Sequence, residues 1–188
     1  VAGTAQKNFA LAPTIVESQG VTVTGVTSAT SVRQAPIPLT MVRRQQMLQA
    51  PSSNIMDILS RQPGVSQVGS GPAVSKPVIR GLGYNRVVVL NDGMRQEGQQ
   101  WGDEHGVEID ELSVQRAEIL KGPASITYGS DALAGVIHFI TNLPVTEGVV
   151  KGNVYSSYQT NNGQYGLHAN IAGNRNGFNW NVYGSNKS

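Results

Sequence analysis

The stretch "EILKGPASITYGSDALAGVIHFIT", Glu118 to Thr141, decides the reading of this 188-residue chain. Two apolar runs are separated by a Lys-Gly-Pro break and a Tyr-Gly-Ser-Asp turn, with no cysteine and no paired histidines between them. Backbone-bending residues crowd around one short strand. Gly122, Gly129 and Gly135 allow turns with positive φ, and Pro123 fixes the backbone at one of them. A segment so built makes tight bends around a central strand rather than presenting a reactive group.

Working outward, "SVQRAEILKG" sets Val114, Arg116, Glu118 and Leu120 on one strand face and Gln115, Ala117, Ile119 and Lys121 on the other. Arg116 and Glu118 thus become neighbours on one face. "RVVVLNDG", Arg86 to Gly93, reads as a buried strand closed by an Asp-Gly turn. Shorter strands are expected at Val65 to Val68 and Pro77 to Arg80. "PSSNIMDILSR", Pro51 to Arg61, places Ile55, Met56, Ile58 and Leu59 on one helical side, with Ser52 or Ser53 as N-cap, and "QPGV" ends it. "VTVTG" (Val21 to Gly25) and "IPLTMV" (Ile37 to Val42) read as further short strands, while residues 1–20 show no sustained period and are expected to form a flexible lead. The pattern is that of a small α+β unit with many turns and few long elements.

The composition changes near Pro144. Before it lie most of the charge and nearly all of the proline; the final residues are rich in Gly, Asn, Ser and Tyr. Three successive segments there keep strict period two. Val150, Gly152, Val154, Ser156 and Tyr158 oppose Lys151, Asn153 and Ser157; Tyr165, Leu167, Ala169 and Ile171 oppose Gln164, His168 and Asn170; Phe178, Trp180 and Val182 oppose Asn179, Asn181 and Ser185. Each segment is close to the ~9 to 11 residues of a tilted transmembrane β-strand. "NRNG", Asn174 to Gly177, fits a tight hairpin turn, and Tyr158 and Tyr165 gather at one end of the ribbon with Phe178 and Trp180 at the other, as interfacial aromatic girdles would. Three strands cannot close a barrel, and open edges would leave backbone groups unpaired in lipid, so the chain is expected to be the front of a much longer protein. A soluble β-rich ligand- or carbohydrate-binding module, whose strands fold onto their own core, is the alternative from another class.

Several functions are excluded or disfavoured by composition. The formal net charge is +2, and Arg33, Arg43, Arg44, Arg61, Arg80, Arg86 and Arg95 are scattered, which argues against nucleic acid. No cysteine means no disulfide framework and no thiol chemistry. No run reaches the ~18 apolar residues of a spanning helix, and the N-terminus lacks a charged-then-apolar export pattern, so any such signal is expected to have been removed or left out of this chain. Enzyme motifs are missing too. "GLGYNR" has Arg86 where a dinucleotide fingerprint needs its third glycine, no phosphate-loop lysine follows, and neither a nucleophile elbow nor a two-histidine helix motif occurs.

Three motifs in order, "IMDILSRQPGV" (Ile55 to Val65), "VIRGLGYNRVVVLNDGMR" (Val78 to Arg95) and "SVQRAEILKGPASITYGSDALAGVIHFIT" (Ser113 to Thr141), carry a resemblance. The chain resembles the TonB-dependent outer-membrane receptors, from about Val21 to Asn142 their N-terminal plug domain and thereafter the first strands of their barrel. The resemblance implies an α+β plug, a small mixed sheet with short helices, followed by antiparallel strands of a truncated transmembrane β-barrel. Its domains would be a lead at 1–20, the plug at 21–145 and the first barrel strands at 146–188. It implies energised uptake of a scarce ligand, a ferric siderophore, haem or other metal complex, through a barrel of about 22 strands gated by the plug. It also implies outer-membrane lipid around the barrel, a periplasmic N-terminus, a TonB-type periplasmic energy-transducing partner, and neither cofactor nor resident metal. Two departures stand out. His138 replaces the amide in the family's usual "GGVINI", and the TonB-box-like "GVTVTG" lacks the acidic residue often found before it, leaving "PTIV" (Pro13 to Val16) as a rival.

Site residues follow from both readings. Val21, Thr22, Val23 and Thr24 would add an edge strand to the partner, backbone hydrogen bonds supplying affinity. Arg80, Arg116, Glu118 and Lys121 would form charge pairs at the plug core or barrel wall, costly to desolvate and exchangeable during opening. By the resemblance, the loop Gly93 to Glu111 would reach the extracellular vestibule. There Arg95, Gln96, Gln100, Trp101, Asp103 and His105 are ligand-contact candidates, Trp101 by stacking and Arg95 by meeting carboxylates. Asp103, Glu104 and His105 are consecutive, so their side chains diverge, and no metal site is assigned to them. His138 reads as a satisfied core residue, and His168 as a residue of the polar strand face.

Overall fold

The computed structural model describes residues 22–23, 30–31, 38–49, 52, 54–71, 74–101, 104–141, 145–160 and 163–188. The lead at 1–20, Pro13 to Val16, Val21, Thr24, Ile37, Ser53, Asp103 and the boundary at Pro144 lie outside them. In chain order the strands and helices are β1 (Thr22–Val23), β2 (Thr30–Ser31), β3 (Leu39–Arg43), α1 (Arg44–Leu48), α2 (Ile55–Leu59), β4 (Val65–Gly69), β5 (Ser75–Ile79), β6 (Leu82–Gly83), β7 (Val87–Asn91), β8 (Met94–Gln96), β9 (Arg116–Lys121), β10 (Gly135–Ile140), β11 (Val150–Gln159), β12 (Gln164–Arg175) and β13 (Phe178–Lys187).

The opening stretch supplies the centre. β10 lies in the middle of a five-stranded sheet of order β3-β9-β10-β7-β8, antiparallel to β9 and parallel to β7. All six of its residues are buried. Gly122 (φ 96°) and Gly129 (φ 105°) turn the chain between β9 and β10, as their lack of a Cβ allows. β7 ends in the Asp92-Gly93 turn, both residues with positive φ, and the turn is tied back to β10: Asp92 N–H donates to Phe139 O at 2.9 Å, and the Asp92 carboxylate accepts from Thr141 N at 2.8 Å and from the Thr141 hydroxyl.

The two faces of this sheet differ. One face, with Ala117, Ile119, Ile137, Phe139, Val87 and Val89, packs on α1, α2 and the antiparallel sheet β4-β5-β6 as the main core. The other carries a smaller apolar patch of Leu120, Val136, Val88, Leu90 and Ala132, interrupted by Glu118 and His138.

α2 is shorter than the expected helix and is not capped by serine. Asn54 Oδ1 accepts from Met56 N at 2.8 Å and Asp57 N at 3.1 Å, and the Asn54 amide donates to Ser75 Oγ, tying the helix start to β5. Ser52 stands two residues too early to reach those donors. α1, unassigned from sequence, holds the chain through the single buried side chain of Met47.

β11, β12 and β13 form a separate antiparallel ribbon in consecutive order. The "NRNG" turn is as expected: Asn176 (φ 53°) and Gly177 (φ 75°) link Arg175 to its paired residue Phe178. Register brings Tyr158 opposite Tyr165 at one end and Trp180 across Gly173 near the other. The burial of the ribbon is inverted relative to a water-soluble sheet. In β12, Leu167 and Ile171 are 40% and 47% exposed while His168, on the polar face, is 1% exposed. The apolar face points away from the protein and the polar face lies on the α+β unit. That excludes the arrangement required by the soluble module, in which the apolar face would cover the core.

Gly135 marks the tightest approach in the central sheet: a Cβ there would stand 2.4 Å from Leu120 O and 2.9 Å from Ile79 Cδ1. Gly135→Ala should therefore destabilise the α+β unit by about 2 kcal/mol or more. Hydrogen-exchange protection of 116–121 and 135–140 in denaturant measures this, and protection equal to wild type would contradict the packing described.

Candidate functional site

Three groups of side chains carry the chemistry of the chain. The first is the charged row on the second face of the central sheet. Cross-strand register places Met41, Glu118, His138, Leu90 and Arg95 side by side across all five strands. Glu118 is fully buried and pairs with Arg116, Nε to Oε1 3.0 Å. The neighbouring Tyr128 hydroxyl is held above its usual pKa by burial and by the Glu118 charge. The other two expected charges lie elsewhere. Lys121 is on the opposite face and donates to Pro63 O; its ammonium is pushed down by burial and then by the adjacent Arg80. Arg80 is exposed, with positive φ (51°). The structure thus brings together Arg116 with Glu118, and Arg80 with Lys121 as like charges.

The second group is the loop after β8. Arg95 is engaged within the chain, by Asp131 and, at 3.4 Å, by Glu97; its hydrogen bond holds the Asp131 carboxyl below the usual range. Gln96 is half-buried, and Gln100 is half-buried with its amide nitrogen enclosed and lacking a partner among the described residues. Trp101 is 67% exposed, and its carbonyl accepts from the buried Lys76 at 2.8 Å, which fixes the backbone beneath the indole. His105 is exposed beside Glu104, at 3.9 Å. Among the described residues no group of three or more His, Asp or Glu side chains is arranged to hold a metal ion.

The third group was not found by sequence reasoning. Residues 107–115 leave the loop, pair briefly with β5 through Val107 N to Ser75 O (3.1 Å), and then lie against the inward face of the ribbon. There Asp110 accepts from the Ser185 hydroxyl, whose oxygen is 2.7 Å from His168 Nδ1. Glu111 pairs with Lys187, and Gln159 donates to Ser52 O at 3.2 Å. Arg44, at the start of α1, donates to Leu112 O (2.5 Å) and Val114 O (3.4 Å), so the same segment is held from behind. A cleft of about 200 Å³, lined by Met47, Leu112, Tyr155 and Lys187, leaves part of this contact open. The hydrogen bonds and the ion pair of this contact are of the kind that can exchange partners with water at little net cost. A signal existed in the sequence: the polar parity of His168, Ser185 and Lys187 on the strands and the acidic pair Asp110-Glu111 just ahead of "SVQRAEILKG". Nothing local joins them.

Comparison with known proteins agrees with this architecture. The family model for the TonB-dependent Receptor Plug Domain matches residues 31–136. A hemin receptor of Yersinia enterocolitica is 33% identical over 165 residues, covering 85% of this chain and 23% of that protein. An iron-regulated outer membrane virulence protein of Vibrio cholerae is 34% identical over 126 residues, 63% of this chain and 19% of its own length. Among solved structures, Pseudomonas aeruginosa FpvA bound to heterologous pyoverdines superposes over 93% of this chain and 24% of its own with a TM-score of 0.70 at 22% identity. The siderophore receptor PirA from Acinetobacter baumannii does so over 79% of this chain and 24% of its own with a TM-score of 0.63 at 24% identity. The chain spans about a quarter or less of the length of these relatives. With its matched plug segment, its mixed central sheet and its inverted strand ribbon, the chain belongs to the TonB-dependent receptor plug domain family.

Proposed function

We propose that this chain is the plug and the first barrel strands of an outer-membrane receptor that takes up an iron complex, a ferric siderophore or haem, using energy delivered from the periplasm. The observation that carries the reading is the inverted ribbon. Apolar side chains of β11–β13 face outward, as lipid requires, and polar ones face the plug. Open strand edges at β11 and β13 need further strands to pair them in a bilayer. The names of the relatives, a hemin receptor and siderophore receptors, support the ligand class. The role is binding and transport rather than catalysis.

Residues 1–20 would serve as lead, 21–145 as plug and 146–188 as the first staves of the wall. Val21 to Thr24 would be the segment surrendered to a TonB-type partner. In support, Thr22–Val23 already adopts a strand, antiparallel to Thr30–Ser31 among the described residues, and a strand is the conformation in which a segment adds to a partner's sheet edge. The Arg116–Glu118 pair would fix the central strands while the Asp110–Ser185 and Glu111–Lys187 contacts seat the plug on the wall. Trp101, together with Gln96, Gln100, Asp103 and His105 of the same stretch of sequence, would meet the ligand by stacking and hydrogen bonding. Arg95 would act there only by exchanging Asp131 for a ligand carboxylate.

Three outcomes test this reading. Deleting residues 21–24 should abolish energised uptake in cells while ligand binding to the purified full-length receptor is kept; uptake at the wild-type rate would refute the assignment of the partner segment. Glu118→Ala should leave Arg116 short of its counter-charge in a mostly buried site and cost about 3 kcal/mol, read as faster hydrogen exchange in 116–121. A strain lacking the receptor, supplied in turn with ferric siderophores and haem as sole iron source, should fail to grow on one class; growth on every source at the parental rate would remove iron from the proposal.

A further inference from the structure

The central strand carries a buried histidine, and its surroundings make its protonation consequential. His138 is 7% exposed. Its Nε2 accepts the backbone N–H of Gly93 at 3.0 Å, so Nε2 bears no proton and the ring proton sits on Nδ1. Nδ1 is enclosed and has no hydrogen-bond partner among the described residues. The charged groups that act on the ring are Glu118 directly opposite on β9, Arg116 on that same strand and Asp92 in the β7–β8 turn, while β7 itself sets the apolar Leu90 beside it. Tyr128 lies beside Glu118, and Arg95, one residue further along the cross-strand row, is occupied by Asp131. Burial is the largest influence on the ring and favours its neutral form; Glu118 and Asp92 work toward protonation, and Arg116 against it.

We propose that His138 is an acid-released catch on the β7–β8 hairpin of the plug. A proton added at Nε2 turns an acceptor into a donor aimed at the Gly93 N–H donor, and the two can no longer share a hydrogen bond. Asp92 stays fastened to Thr141 through its carboxylate, so the turn opens on the Gly93 side and takes the start of β8 with it. The imidazolium gains Glu118 as counter-charge, which gives the opened state its own stabilising contact. The direction in pH follows from the depressed native value. The unfolded or opened segment binds the proton first, so stability of the closed hairpin is full above the ordinary histidine range and falls as pH drops below about 6.5. An amide at this position would have no titratable acceptor and no such response.

The test is hydrogen exchange of the full-length receptor at about pH 5 and about pH 7.5, with rates corrected for intrinsic exchange on an unfolded reference. In wild type, peptides covering 87–97 should lose about three- to tenfold of their protection at the acidic value, the equivalent of one backbone hydrogen bond, while 116–121 keeps its own. His138→Gln and His138→Asn should show no acid-dependent loss in 87–97. Unchanged wild-type protection would overturn the proposal, as would an equal acid response in either folded variant. Should neither variant fold, wild type alone decides: loss confined to the hairpin supports the catch, and loss spread evenly over 116–121 and 135–140 rejects it.

Discussion

The plug depends on one constraint: the backbone of Gly135–Ile140 is buried on both faces and must find all its hydrogen bonds in neighbouring strands. β9 on one side and β7 on the other supply them, antiparallel and parallel in turn. Because those partners are the strand just before the loop that precedes β10 and one arm of a hairpin further upstream, the intervening chain has to bend sharply and return. The glycines of the opening stretch meet that requirement. Gly135 goes further, since its missing side chain lets Leu120 O and Ile79 approach the strand. Around this close approach pack Ile119, Leu120, Ile137 and Phe139, with the Arg116–Glu118 pair and His138 set among them.

A second constraint acts between the plug and the ribbon. A strand face of Asn, Ser, His and Lys cannot be left dry, so on the inside of a wall it needs either water or polar partners. Residues 107–115 and Ser52 provide such partners through Asp110, Glu111 and backbone carbonyls. Contacts of this type contribute about 1 kcal/mol each, because water can replace either partner. They hold position without the cohesion of an apolar seam. Contacts of this kind fix position and can be exchanged for water, whereas burial of the ribbon's Leu167, Ile171 and Val154 against the α+β unit would have made an apolar core.

Much of the architecture was legible before any coordinates. The buried run of Val87–Asn91 and its Asp-Gly turn, the alternation of Arg116 and Glu118, the three period-two strands and the "NRNG" hairpin are local patterns, each set by neighbours two to four residues apart. The site was legible only in part. Arg116 and Glu118 share a face by strand parity and Lys121 takes the other, but that Lys121 meets Arg80 there is set by the fold. The sequence marks Arg95 as a ligand contact, and the structure occupies it with Asp131, a residue far along the chain. The sequence makes His138 a satisfied core residue; among the described residues one nitrogen is satisfied by Gly93 and the other is not. Asn54 displaced serine as the helix cap because only its position brings an oxygen within reach of Met56 and Asp57.

From the order of residues alone came the elements, their turns, the polar and apolar sides of each barrel strand, and the membership of Arg116 and Glu118 in one face. These follow from backbone periodicity and from the conformational limits of Gly, Pro and Asn, which act over a few residues. The tertiary structure alone decided that β10 lies parallel to β7 at the centre of the sheet, that Asp110 and Glu111 meet Ser185 and Lys187 across more than seventy positions of sequence, and that the imidazole of His138 holds the Gly93 amide. Such meetings depend on how layers stack to exclude water from one common core. No local pattern encodes which distant polar group will be waiting on the other side.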